Sequence, residues 1–303
     1  MRLVFAGTPE VAVPALDALV ASDHDVAAVI TRPDAPAGRG RKLTPSPVAV
    51  RAEELGIEVL TPGHPREPEF QDRFRELAPE VCPVVAYGAL LPQSALDIPA
   101  HGWVNLHFSL LPRWRGAAPV QRAIMAGDAE IGTACFQIVR ELDAGDVYLM
   151  ESRPMPEATA GELLAALAET GAQQLVRAID MVAAGERPTP QPTEGVTIAP
   201  KITVEEARID WTRPALDLRN HIMGCSPDPG AWCELDGQRF KIYRAAVAAS
   251  PALSPGELSR TKRQAFVGTG AGTLELLEVQ PAGKRRMAAM DWARNAPEGL
   301  VLG

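Results

Sequence analysis

The first half of the chain alternates short apolar segments with amphipathic runs, and this alternation restricts the fold more than any other feature. Arg2 to Ala6 reads as a strand, followed by Gly7-Thr8-Pro9 and a run with Val13, Leu16, Leu19 and Val20 at helical spacing. Val26 to Thr31 is a second strand, Ile57 to Leu60 a short third, and Phe70 to Leu77 a helix. Val81 to Ala86 is a strongly apolar strand, and Gly102 to His107 is the next. Parallel strands need a crossover between them, usually a helix, so this order predicts an α/β, doubly wound, mostly parallel sheet. The first turn, AGTPEVAVPAL, has one glycine where a dinucleotide fingerprint needs three. Without the other two the backbone cannot approach a pyrophosphate closely, which argues against a nicotinamide site.

At 303 residues the chain exceeds a typical single core, and its pattern changes part-way. Thr159 to Glu162 forms a capping box that opens a helix with Leu163, Leu164 and Leu167, interrupted near Gly171. A second helix carries Leu175, Val176, Ile179 and Val182, and Gly185 is placed to stop it. The stretch 186–201 then holds four prolines with little periodicity and reads as a semi-rigid spacer. Beyond it the signals are β: Ala231 to Leu235 and Gln238 to Val247 flank an Asp236-Gly237 hairpin turn, and Gln264 to Val267 and Thr273 to Val279 add strands. Several short strands in about a hundred residues predict a small barrel. The expected division is 1–189, a linker over 190–207, and 208–303.

Net charge is −8, which argues against a nucleic-acid coat protein, but the charge is uneven: −11 over residues 1–207 and +3 over 208–303. A mildly basic C-terminal part leaves room for a polyanionic partner. Cys82, Cys135, Cys225 and Cys233 form no C-x-x-C pair and no zinc-spaced cluster with histidine, so they read as packed thiols and no metal is expected. No signal peptide is visible, and Val81 to Leu96, an uncharged run of 16 residues, contains two prolines. The expectation is a cytoplasmic protein that uses no membrane and has no obligate protein partner.

A polar pair interrupts the apolar segment at 102–107. Asn105 and His107 stand two positions apart, so on a strand they share a face. Ligands in open α/β sheets sit beyond the carboxyl ends of the strands, where Tyr87-Gly88 and this pair both fall. Asp143, in the turn Glu141-Leu-Asp-Ala-Gly-Asp146, could reach His107, fix its tautomer and stabilise an imidazolium. Taken singly, His107 also fits a hydrogen-bonded structural role and Asp143 a turn-forming one.

The stretches NLHFSLLPRWRGAAPVQRAI and LDAGD carry N-x-H, SLLP-x-x-x-G and L-D-x-G motifs, and with them the chain resembles the folate-dependent formyltransferase family. FAGTPE, RPDAPAGRGRKLTPSPV, VVAYGALLP, IAPKITVEEARIDW and VQPAGKRRM are similar, in order, to the branch of that family whose acceptor is methionyl-tRNA. The resemblance implies a Rossmann-like first domain, an OB-like second one, and catalysis by Asn105, His107 and Asp143. It implies a 10-formyltetrahydrofolate site along Ser109, Leu110, Leu111 and Pro112 and the strand end Val85, Ala86, Tyr87 and Gly88. It further implies contact with initiator methionyl-tRNA through Arg39, Arg41, Lys42, Lys201, Lys284 and Arg285. Phe108 departs from the glycine or proline common after the histidine and bears on the shape of the folate-side turn.

The residues suit that chemistry. Formyl transfer to an amine passes through a tetrahedral adduct whose oxyanion needs donors, which the Asn105 amide and a protonated His107 can supply. An imidazole tuned by a carboxylate can carry the proton from attacking amine to departing nitrogen. No metal or covalent nucleophile is required. A solvated surface loop is the bland alternative for Arg39 to Lys42, but a long Pro/Gly-rich connection in a compact sheet suggests a job, and arginines suit phosphates and base edges. Two other readings compete: a formyltransferase for a sugar nucleotide or other small amine, and a tRNA-binding module with a dead site. The basic elements argue against the first and the intact trio against the second.

Overall fold

The computed structural model describes residues 1–37, 40, 42–249, 253–297 and 299–303. The chain begins with β1 (Arg2–Gly7), a short 3-10 turn, α1 (Val13–Val20) and β2 (Asp25–Ile30). Then come β3 (Ala35–Ala37), β4 (Lys42–Thr44), α2 (Pro47–Glu54), β5 (Glu58–Leu60), α3 (Pro68–Glu76) and β6 (Cys82–Val85). They are followed by α4 (Gln93–Leu96), β7 (Trp103–His107), α5 (Pro119–Ala126), β8 (Glu130–Gln137), β9 (Val147–Pro154) and α6 (Ala160–Ala183). Seven of these strands form one sheet in the order β5-β2-β1-β6-β7-β8-β9. Pairing is parallel from β5 through β7 and becomes antiparallel where β7 meets β8. This is the expected mixed, mostly parallel sheet.

Both faces of the central strands are covered, which is why they read as unbroken apolar runs. Val4 and Ala6 of β1 join Phe70 and Phe74 of α3 and Trp103 of β7 in one cluster, while Leu3 and Phe5 are equally buried. Helix α6 differs from the sequence expectation, running unbroken through Gly171. A Cβ at Gly171 would lie 2.9 Å from Leu106 Cδ2 of β7, so the glycine permits a close approach of helix to strand and does not end the helix.

The stretch expected to be a bare loop, 32–48, contains a two-stranded antiparallel ribbon. Ala35 pairs with Thr44, Pro36 with Leu43 and Ala37 with Lys42. Arg39 and Arg41 lie outside the described residues. Ser46 ends the segment by capping α2: its Oγ accepts from Ala49 N at 3.0 Å.

The second half contains α7 (Ala215–Gly224), β10 (Ala231–Leu235), β11 (Gln238–Ala248), β12 (Leu258–Arg260), β13 (Ala265–Gly268), β14 (Thr273–Gln280), β15 (Met287–Ala288) and α8 (Ala289–Ala293). The strands form an antiparallel sheet in the order β10-β11-β14-β13-β12, with β15 against β14. Its core holds Trp211, Ile222, Phe240, Ile242, Leu274 and Val279.

By its contacts the chain divides into two compact units that are not contiguous in sequence. The first is Met1–Arg115, Gly132–Arg153 and Leu164–Ile198; the second is Gly116–Ile131, Pro154–Leu163 and Ala199–Gly303. In this grouping α5 belongs with the second unit. A Cβ at Gly224 of α7 would sit 2.5 Å from Met125 Cγ, and Arg122 donates to the Pro200 carbonyl and pairs with Glu206.

Candidate active site

β7 is a buried strand, and its alternation puts Asn105 and His107 on one face at the strand's carboxyl end. Asn105 is half-buried and lies opposite Val84 of β6 and Phe136 of β8; His107 lies opposite Ala134. The Asn105 side-chain amide makes no hydrogen bond with the described residues. His107 is 6% exposed, and its ring stands edge-on to Phe136.

After His107 the chain reverses in a tight turn. Ser109 is buried, and its Oγ donates to the Arg113 carbonyl at 2.6 Å. The turn returns the Trp114 carbonyl to His107 Nε2, 2.8 Å away. A carbonyl only accepts, so Nε2 carries the hydrogen and the lone pair of the neutral ring lies on Nδ1. Nδ1 in turn faces Asp143 Oδ2 at 3.8 Å. That separation is too long for a hydrogen bond but close enough for the Asp143 charge to act on the ring in a site where Asp143 is only 16% exposed.

Burial is the largest influence on His107 and lowers its pKa from the ordinary histidine value; the Asp143 charge and the Trp114 carbonyl oppose it. The ring is therefore held neutral near pH 7, with its vacant nitrogen toward a carboxylate that would welcome a proton. This modifies the expected chemistry. The Nε2 hydrogen is engaged by Trp114, which leaves Asn105 as the expected oxyanion donor not bonded to the described residues.

Asp143 occupies a left-handed backbone conformation (φ 48°), rare for a residue with a side chain. Its turn is pinned on both sides. Gln137 N donates to the Asp146 carbonyl at 2.8 Å, and a Cβ at Gly145 would fall 1.7 Å from the Gln137 carbonyl. Gln191 Nε2 donates to the carbonyls of Asp143 and Gly145, each at 2.8 Å. Gln191 was missed in the sequence because its stretch reads as a spacer. A glutamine between Pro190 and Pro192 is the signal that could have pointed to it: both prolines restrict the backbone and hold the amide in place.

The strand end expected to line a folate site adjoins this pair. Thr8 Oγ1 donates to the Tyr87 carbonyl at 2.7 Å, tying the end of β1 to the end of β6. Ala86 (φ 47°) and Gly88 (φ 80°) turn the chain left-handed and are exposed, while Val85 and Tyr87 are buried. Burial pushes the Tyr87 phenol up to about 12. In the turn after β7, Leu110 and Pro112 are half-buried, whereas Leu111 packs into a small core with Ala134 and Phe136. Ser109 and Leu111 thus shape the turn from within.

Lys42 is exposed on the ribbon; Lys201, Lys284 and Arg285 are exposed in the second unit, the last two in the turn after β14. Among the described residues no helix is long and apolar enough to cross a membrane, no cluster could hold a metal ion, and the four cysteines are buried free thiols.

The formyl transferase family matches residues 1–179, and its C-terminal domain matches 201–297. The chain belongs to the formyl transferase family. Among this family's members, the methionyl-tRNA formyltransferase of Nocardioides sp. (strain ATCC BAA-499 / JS614) is 57% identical over 301 residues, covering 98% of this chain and 95% of that protein. The methionyl-tRNA formyltransferase structure from Clostridium thermocellum superposes with a TM-score of 0.60 at 15% identity, covering 82% of this chain and 94% of that one. HypX from Aquifex aeolicus in complex with tetrahydrofolic acid gives a TM-score of 0.68 at 18% identity, covering 96% of this chain. The chain spans 46% of HypX. Both structural likenesses bear on the formyl transferase fold.

Proposed function

We propose that this protein transfers the formyl group of 10-formyltetrahydrofolate to the α-amino group of initiator methionyl-tRNA, in the cytoplasm. Identity of 57% to a named methionyl-tRNA formyltransferase, over 98% of this chain, is the observation that carries the reading. The site adds support. Exposed Ala86 and Gly88 at the end of β6, next to the strand that carries Asn105 and His107, leave surface for a flat ring with hydrogen-bonding edges.

In this reading the folate supplies the formyl carbon, and the protein supplies alignment and proton handling. The α-amino group, with an ordinary pKa of about 7.7–8.0, is partly neutral near pH 7 and can attack without a metal. His107 takes the amine's proton at Nδ1, and Asp143 stabilises the imidazolium that results. The Asn105 amide donates to the formyl oxygen as it gains charge. His107 then returns the proton to the nitrogen that departs. Arg39, Arg41, Lys42, Lys201, Lys284 and Arg285 are assigned to the tRNA.

The test compares three acceptors with one formyl donor: methionyl-tRNA, free methionine and an amino-sugar nucleotide. Methionyl-tRNA should be formylated with a kcat/KM at least a thousandfold above the other two, on the order of 4 kcal/mol of extra binding used in the transition state. Equal or better transfer to the sugar nucleotide would overturn the assignment.

A further inference from the structure

Gln191 sits in the segment expected to be a spacer, yet it makes four hydrogen bonds to the surroundings of the candidate site. Its Nε2 donates both hydrogens, to the carbonyls of Asp143 and Gly145 at 2.8 Å each. Its Oε1 accepts from Arg115 Nε at 3.2 Å and Nη2 at 2.8 Å. The amide orientation is fixed by these partners, because the reverse would set oxygen against two carbonyls and nitrogen against a guanidinium. Arg115 is 8% exposed and also meets Glu141, at the start of the Asp143 turn, at 3.2 Å.

The same segment holds the other side of the histidine. Trp114, whose carbonyl accepts from His107 Nε2, donates its own N–H to Thr197 Oγ1 at 2.9 Å. Arg115 N donates to the Thr197 carbonyl at 2.9 Å. A ring of contacts therefore runs from His107 through Trp114, Arg115 and Gln191 to the backbone of Asp143. The two partners of the imidazole, a carbonyl and a carboxylate, come from different loops, and Arg115 with Gln191 joins them.

We propose that Gln191 is a positioning residue for catalysis: its amide clamps the left-handed Asp143 turn to Arg115 and so holds the carboxylate facing His107 Nδ1. The proposal rests on the assignment of His107 and Asp143 to the reaction. Gln191 itself touches no reacting atom. Its physical task is to satisfy two carbonyls that the turn directs inward, which keeps an otherwise disfavoured backbone state populated. Without it the turn can relax, and Asp143 moves away from a buried ring whose protonation depends on that charge.

The test uses the full chain and the variant Gln191→Met, which keeps the side-chain length and removes both donors. Single-turnover formyl transfer to methionyl-tRNA should slow roughly ten- to a hundredfold through misplacement of the pair. KM for both substrates should hold within about twofold, since the missing interaction acts in the transition state. In parallel, NMR of isotope-labelled histidine follows each of the five imidazoles, with His107 assigned through His107→Gln. The His107 titration should move down in Gln191→Met, the direction Asp143→Asn gives, because burial then acts with less opposition. A lower melting temperature with wild-type turnover and an unmoved His107 titration would make Gln191 merely structural and overturn the proposal. If Gln191→Met does not fold, Gln191→Asn keeps the amide on a shorter stem and should show the same two changes at smaller size; wild-type values there also overturn it. A wild-type protein that fails to formylate methionyl-tRNA sinks the functional reading, and the NMR titration then decides the clamp by itself.

Discussion

Replacing His107 separates its chemical role from its structural one, provided two variants are compared. The ring is 6% exposed and donates to the Trp114 carbonyl, so alanine at this position does more than remove a catalyst. It opens a cavity where an imidazole packed and removes one hydrogen bond to the carbonyl of half-buried Trp114. The cavity and its missing packing cost about 2–3 kcal/mol and the lost hydrogen bond about 1–2 kcal/mol, for a total of roughly 3–5 kcal/mol. Glutamine is different. Its Nε2 can reach the Trp114 carbonyl, it fills most of the same volume, and it has no titratable group, so His107→Gln should be destabilised by only about 1 kcal/mol. Both variants lose the proposed proton acceptor, and both should show single-turnover formyl transfer reduced roughly a hundred- to ten-thousandfold. Urea unfolding measures the stability difference, and rapid-quench assay of formyl-methionyl-tRNA measures the chemistry. The reasoning fails if His107→Gln transfers the formyl group at half the wild-type rate with chemistry rate-limiting. It fails equally if the alanine variant is as stable as the glutamine one.

The other expectations concern pH, the ribbon and the Asp143 turn. His107 and His221 are both buried with pKa values lowered in the fold. In the window from the unfolded value near 6.5 down to the folded values, the unfolded chain binds more protons, so urea-unfolding stability should fall as pH drops through that window and be flat above it. The acid limb of kcat/KM should lie below pH 6.5 for the same reason, and Asp143→Asn should move it lower while reducing the maximum. Arg39→Ala with Arg41→Ala should lower kcat/KM for methionyl-tRNA by about 1–3 kcal/mol for each base-edge interaction removed and flatten its salt dependence, with folate binding unchanged by fluorescence titration. Undiminished kcat/KM at two salt concentrations would remove those arginines from RNA recognition. Gly145→Ala drives a Cβ into the Gln137 carbonyl, 1.7 Å away, and should cost more than about 3 kcal/mol in unfolding experiments, or shift the turn and depress kcat.

The parts of this structure legible in the sequence are those governed by periodicity. Two-residue spacing is enough to put Asn105 and His107 on one face of β7, and uninterrupted apolar runs mark strands buried on both sides. Composition rules misled where close packing overrode propensity. Gly171 looked like a helix break and is instead the point at which α6 meets Leu106. The ribbon at Ala35 to Thr44 was hidden because Ala-Pro-Ala is a poor strand former held by its pairing partner. Helix α7 was missed because Asn220, His221, Ile222, Met223 and Gly224 are all buried, which erases an amphipathic stripe. Gln191 had no periodic signal because a single amide bonded to two loops leaves none.

The contacts of Gln191 and Thr197 also set where this protein can be divided. The match to the first family domain ends at residue 179, and a fragment cut there would look complete by sequence similarity. It would lack the amide that holds the Asp143 turn and the threonine bonded to Trp114 and Arg115. A fragment that keeps both contacts must extend at least to Ile198, the last residue of the first compact unit, although it then carries 116–131 and 154–163, which belong with the second. Swaps between family members with a junction after that position must also match α5 to its partners Pro200 and Glu206. A junction placed before residue 191 joins one protein's Asp143 turn to another's support, and on the proposed role of Asp143 the mismatch would surface as slow chemistry in a protein that still binds both substrates.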